Sequence, residues 1–289
     1  MPRCRRTILV TLVLTVAALA GCSDAREDAR GSTAPPSDSR TPSASPSPSR
    51  TAPPWSVMAG PLARCGPQPD AVARTAFQYG VLRDPDVGEI PMVRVGHGDT
   101  VVVLLHQTDG NGLCGWLPFG RDLARAGGIT ALAVDLCRYG ESTCEKVEEG
   151  RFGSDDQTDA VALAVRHAHD RLHARRVVVV GASMGGSLAV ISGSTLTGID
   201  AVVDLSGPVE WPGMDVVEQG RRLAVPLLAA TADDEGPEEV RGLRTIVANA
   251  PPGSALLRVE HGHGYELLHD VEGRPAELHA RVIEWIRSR

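Results

Sequence analysis

The chain has no excess of basic charge. Its 289 residues carry 29 Lys and Arg against 36 Asp and Glu, a net charge of −7. Such a balance offers no surface for tracking phosphates, so nucleic acid is excluded as an expected partner. The amino-terminal apolar run, Ile8 to Ala20, is too short to span a bilayer comfortably, which takes about 20 apolar residues. No Cys-x-x-Cys occurs among the six cysteines, so no zinc motif is present and no metal is expected. No internal repeat is evident, which sets solenoids and propellers aside.

What the amino end does contain is a processing pattern. Arg3, Arg5 and Arg6 precede the apolar run, as in a secretory signal. Leu19-Ala20-Gly21-Cys22 then resembles the bacterial lipoprotein lipobox, in which the cysteine is lipidated and becomes the first mature residue. That resemblance implies a signal peptide over 1–21 and acyl chains on Cys22 that attach the protein to the extracytoplasmic side of the cell membrane. An ordinary cleaved signal with an incidental Cys22 is the alternative. Ser23 to about Pro54 is rich in Ser, Pro, Thr, Ala and Arg and lacks apolar residues to bury. With Cys22 it is read as a linker over 22–60, semi-stiff where prolines recur between Thr41 and Pro54. The folded domain is expected over 61–289. In an oxidising compartment, Cys65, Cys114, Cys137 and Cys144 form two disulfides from three possible pairings. Cys137 and Cys144 share one loop and are the preferred pair, leaving Cys65 with Cys114.

The domain is organised around Val177-Val178-Val179-Val180-Gly181-Ala182-Ser183-Met184-Gly185-Gly186. Four β-branched residues in a row read as a strand buried on both faces. The run from Ser187 to Ile191 continues as a helix. Gly-x-Ser-x-Gly between strand and helix holds a serine on a sharp turn, and the helix amino end favours negative charge beside it. Acyl transfer needs that combination of a nucleophile and a place for an anion.

Further strands are expected at Arg74 to Val81, Pro91 to Val95, Thr100 to Leu105, Thr130 to Val134, Ala201 to Leu205, Val225 to Ala230 and Ala255 to Val259. Helices are expected over Leu117–Ala126, Asp156–His173, Asp215–Leu223, Glu238–Ala248 and Ala276–Arg287. Alternation of this kind means an α/β fold, a mostly parallel sheet of about eight strands covered on both faces. Polar residues gather just after the strands, where such sheets place their sites.

From roughly Thr100 to Arg289 the chain resembles the α/β-hydrolase family, with its order of nucleophile, acid and histidine. His106-Gln107 resembles the family's His-Gly oxyanion strand end, with glutamine for glycine. Asp135 with Arg138, Gly140 and Ser142 resembles its Asp-x-x-Gly-x-Gly-x-Ser loop, here lengthened and carrying two cysteines. The part before about Arg74 matches nothing in the pattern. The resemblance implies Ser183 as nucleophile and His263 as base, with His261 as the second choice. It implies Asp233 as the acid in Ala230-Thr231-Ala232-Asp233, with Asp234 as alternative and Asp204 behind both. Backbone N–H groups of Gln107 and Met184 are the expected oxyanion hole, and His106 is expected to be structural.

Between Ser206 and Val225 there is room for one short helix and no large cap. The expected activity is therefore that of a lipid-anchored serine hydrolase, a carboxylic ester hydrolase for small or soluble acyl substrates that needs no cofactor. A peptidase, thioesterase or lactone hydrolase on the same scaffold, or a non-catalytic surface-binding lipoprotein, are the alternatives. His169 and His173, at i,i+4 spacing, are read as a solvated face. Trp116, Phe119 and Trp211 are read either as core or as pocket lining.

Overall fold

The computed structural model describes residues 54–109, 111–144, 155–211 and 214–289. The signal segment, Cys22 and nearly all of the linker lie outside these residues. One eight-stranded sheet forms the centre. Its strands are β1 (Gln78–Asp84), β2 (Gly88–Gly96), β3 (Thr100–Leu105), β4 (Ile129–Val134), β5 (Arg176–Ala182), β6 (Ala201–Leu205), β7 (Leu227–Ala232) and β8 (Ala255–Val259). They lie in the order β8-β7-β6-β5-β3-β4-β2-β1. The β1–β2 and β2–β4 pairs are antiparallel, and the pairs from β4 to β8 are parallel.

The four-valine run behaves as its composition demands. Val177, Val179 and Ala189 pack on one face of the sheet, Val178 and Val180 on the other. Val101 to Leu105 of the neighbouring β3 are wholly buried. Each such side chain contributes about 1.5–3 kcal/mol relative to exposure, so β3 and β5 are the hydrophobic spine of the fold. The helices α1 (Leu117–Arg125) and α6 (His279–Arg287) cover one face. The other is covered by α2 (Asp155–Asp170), α3 (Met184–Thr195) and α5 (Pro237–Asn249). The short α4 (Val216–Gly220) precedes β7 and is capped by the Asp215 carboxylate, which accepts from the Glu218 N–H.

Boundaries moved where backbone groups found other partners. α6 begins at His279 rather than Ala276, because the Ala276 N–H is donated to the Leu268 carbonyl at 2.8 Å. α2 ends at Asp170, and His173 sits beyond it with a φ of 55°. His169 donates from its ring to the Gly198 carbonyl at 2.7 Å, and His173 lies outside the helix that carries it.

Upstream of β1, Trp55–Val57 pairs antiparallel with Pro67–Pro69, so the fold begins slightly before the expected residue 61. This segment is tied down through Cys65 and through Arg64. Cys65 is bonded to Cys114 and Cys137 to Cys144, each with Cα atoms 5.2 Å apart, the expected pairing. Arg64 forms an ion pair with the buried Asp135 at 2.7 Å. Asp135, at the end of β4, also accepts from the Leu113 and Glu141 N–H groups at 2.8 and 3.0 Å. The residues that resembled a family loop thus serve as its internal brace.

Candidate active site

β5 delivers Ser183 into the gap between strand and helix. Its φ of 52° and ψ of −122° lie where a side chain is disfavoured, at a cost of order 1–3 kcal/mol. The turn is so tight that a Cβ on Gly181 would strike the Gly185 carbonyl, and a Cβ on Gly185 would strike the Leu105 carbonyl of β3. Both flanking glycines are therefore sterically required. Met184 is the first residue of α3, so its N–H precedes any intrahelical acceptor, at the positive end of the helix dipole.

The loop after β8 meets this turn. A Cβ on Gly264 would lie 3.4 Å from that of Ala182, the residue before Ser183. His263 therefore sits on a loop packed against the elbow. Its Nδ1 donates to Glu235 Oε1 at 2.7 Å.

Glu235 is the residue that sequence reasoning missed. Asp233, Asp234 and Glu235 form one turn of 3₁₀ helix after β7. With three residues per turn, consecutive side chains point about 120° apart. Asp233 faces sideways to Arg258, whose Nε donates to it at 2.8 Å. Asp234 faces outward and accepts from His261 Nδ1 at 3.0 Å. Glu235 alone turns inward, where Thr231 Oγ1 donates to its other oxygen at 2.6 Å. Neither expected aspartate reaches His263. Asp204 is not an alternative. It is fully buried, one oxygen accepts from the Gly207 N–H at 2.7 Å, and burial raises its carboxyl well above the usual range.

The pair is electrostatically matched. The hydrogen bond to Glu235 raises the His263 imidazole above its ordinary value, against partial burial, with the charges of Glu235, Glu266 and Glu239 adding to the rise. Burial pushes the Glu235 carboxyl up, but hydrogen bonds from His263 and Thr231 outweigh it and hold it below its usual range. An ionised carboxylate that favours imidazolium is what a general base of this type requires.

The expected oxyanion donor at Gln107 is arranged differently. Its N–H donates to Tyr265 Oη at 3.1 Å. Its side-chain oxygen accepts from the Tyr265 N–H at 3.4 Å. Both groups are thus used inside the protein, by a tyrosine two residues after His263 that no motif marked. His106 is structural as expected. Nδ1 donates to the Gln107 carbonyl at 2.7 Å and Nε2 accepts from the Leu136 N–H at 2.9 Å, which defines a neutral tautomer. Burial takes its pKa down to about 4. Trp116 and Phe119 are core residues, each 1% exposed.

A cleft of about 290 Å³ lies beside Gln107 and Tyr265, lined also by Trp55, Gln68, Asn111 and His269. A larger hollow of about 770 Å³ lies at the opposite end of the sheet, among Arg94, His97 and Thr130, and contains none of the residues above.

Comparison with known proteins places this fold. The esterase Pf2001 of Pyrococcus furiosus superposes with a TM-score of 0.62 at 18% identity, covering 82% of this chain and 96% of that one. Proline iminopeptidase of Mycobacterium smegmatis gives 0.58 at 12% identity, covering 73% and 98%. Dienelactone hydrolase of Anabaena variabilis gives 0.58 at 14% identity, covering 73% and 97%. At these identities the likeness is one of fold. The sequence profile of the alpha/beta hydrolase family matches residues 102–283, which run from β3 through the elbow and the acid turn to the closing helix. The chain belongs to the alpha/beta hydrolase family.

Proposed function

We propose that the protein is a serine hydrolase that cleaves carboxylic esters of small or soluble acyl substrates, with Ser183, His263 and Glu235 as its triad. The observation that carries this reading is the 2.7 Å contact between His263 and Glu235 on a loop packed against the Ser183 elbow. In the reaction, Ser183 Oγ attacks the acyl carbon while His263 Nε2 takes the hydroxyl proton. Glu235 holds the Nδ1 proton and stabilises the imidazolium. The Met184 N–H faces the developing oxyanion. The imidazolium then protonates the departing alcohol, and water, activated by the same imidazole, releases the acid from Ser183.

The short segment between β6 and β7 supports an open site, since its described residues hold α4 and a two-residue ribbon rather than a cap. Labelling with a fluorophosphonate tests the nucleophile. Wild type should be modified at Ser183, and Ser183→Ala should lose both labelling and short-chain ester hydrolysis, by about 10⁴-fold or more, while keeping its fold. An unlabelled but folded wild type would mean a binding protein on a hydrolase scaffold.

The proposed location is the extracytoplasmic membrane surface, through lipid on Cys22. The two disulfides fit an oxidising compartment. Cys22→Ser should move the protein from the membrane to the soluble fraction, and unchanged fractionation would refute the anchor.

A further inference from the structure

Outside the Ser183 site, Asp122 converges with two histidines that follow it by 147 and 157 residues. Asp122 lies on α1, His269 on the loop after His263, and His279 opens α6. We propose that Asp122, His269 and His279 form a binding site for a divalent transition-metal ion of the zinc class. The proposal is independent of the hydrolase reading.

The geometry is that of a ligand set. His269 Nε2 lies 3.2 Å and His279 Nε2 3.1 Å from the same oxygen, Asp122 Oδ2. The three donor atoms all lie within 4.8 Å of one another. Zinc bonds to imidazole nitrogen and carboxylate oxygen of about 2.0–2.1 Å place tetrahedral ligands about 3.3 Å apart. Two of the three edges are already close to that length, and the two imidazole nitrogens lie within 4.8 Å of each other. The rings stand nearly perpendicular, at 78° with centroids 4.8 Å apart, so two lone pairs can converge without stacking.

The surroundings hold the ligands in place. Arg121 Nη1 donates to Asp122 Oδ1 at 2.7 Å, which leaves Oδ2 as the oxygen turned toward the imidazoles. A partner on the far oxygen orients a ligating carboxylate, although here its positive charge also subtracts from affinity. Phe119 meets both rings edge-on, with centroids 6.3 and 5.7 Å away. The side chains of His269, His279 and Asp122 are 9, 13 and 16% exposed. They are largely desolvated, yet His269 lines the cleft beside Tyr265, which gives an ion a way in. Two imidazoles and one carboxylate suit zinc better than calcium or magnesium, which take mostly oxygen. Solvent would complete the coordination. The site clamps the loop that carries His263 to α1, six residues downstream of that histidine.

The test uses protein produced without a polyhistidine tag and stripped with chelator. One equivalent of Co²⁺ should bind with the intense visible bands of a tetrahedral site, and Zn²⁺ should displace it. Zn²⁺ should raise the melting temperature. His269→Gln, His279→Gln and Asp122→Asn should each weaken binding at least tenfold. X-ray absorption of the zinc-loaded wild type should show two imidazoles, and this readout decides the matter even where a variant does not fold. Absence of stoichiometric binding, affinity unchanged in the folded variants, or fewer than two imidazoles on the zinc would overturn the proposal and leave a hydrogen-bonded His–Asp–His brace.

Discussion

Two histidine–carboxylate pairs stand side by side after β7 and β8. His261 donates to Asp234 at 3.0 Å and His263 to Glu235 at 2.7 Å. The chemistry is the same and the residues are two and one apart in sequence. What separates them is where each carboxylate sits. Asp234 is 50% exposed and its histidine 80%, so water screens both charges. Glu235 is 14% exposed and fixed by Thr231, its histidine is 49% exposed, and Gly264 beside that histidine packs on the elbow. A carboxylate orients a catalytic imidazole only when it is itself held, and burial of the acid is what turns a surface ion pair into a candidate triad.

The sharpest break of this comparison is Glu235→Gln. The amide can still accept a hydrogen bond but no longer stabilises imidazolium, so kcat for a short-chain ester should fall by about 10²–10⁴-fold. Asp234→Asn should cost less than about fivefold, because an exposed pair is worth at most about 1 kcal/mol. Steady-state kinetics on the two variants, with circular dichroism to check the fold, decide between the acids. Comparable losses would return Asp234 to candidacy.

A smaller effect sharpens the same contrast. His263 must be neutral to accept the Ser183 proton, so kcat/KM should fall as pH drops through its folded-state pKa. Glu235 raises that value above the ordinary imidazole range. The acidic limb of the wild-type profile should therefore lie above pH 6.5, and in Glu235→Gln the residual activity should have its limb displaced to lower pH. In Asp234→Asn the limb should stay in place. A limb that ignores Glu235 would show that another group controls the base.

The same contrast explains what could be read in the letters. The elbow was legible because its causes are local: a β-branched run, two sterically forced glycines and a helix start fall within ten residues. The disulfide partners were legible for Cys137 and Cys144, which share a loop, and then for Cys65 and Cys114. The acid was not. Counting from the end of β7 points to Asp233, but the backbone winds into a 3₁₀ turn there and only the third of three adjacent acids faces inward. Nothing local signals that winding. Tyr265 and the Asp122–His269–His279 cluster were equally hidden, since their partners lie 147 to 158 residues away in sequence.

An effect smaller than that of Glu235→Gln is expected at Tyr265. The Gln107 N–H sits at the strand end where the family resemblance places an oxyanion donor, yet it is donated to the Tyr265 hydroxyl. For that N–H to serve the oxyanion, the phenol must yield, and a hydrogen bond worth about 1 kcal/mol is exchanged in the transition state. Tyr265→Phe removes the competitor without emptying the space its ring fills against Trp116. The variant should be about 1 kcal/mol less stable to denaturant and should turn over several-fold faster, with the Met184 contact unchanged. Chemical denaturation and kcat on one ester measure both. A tenfold or larger loss of kcat would reverse the assignment and make the phenol O–H, rather than the Gln107 N–H, the second donor to the oxyanion.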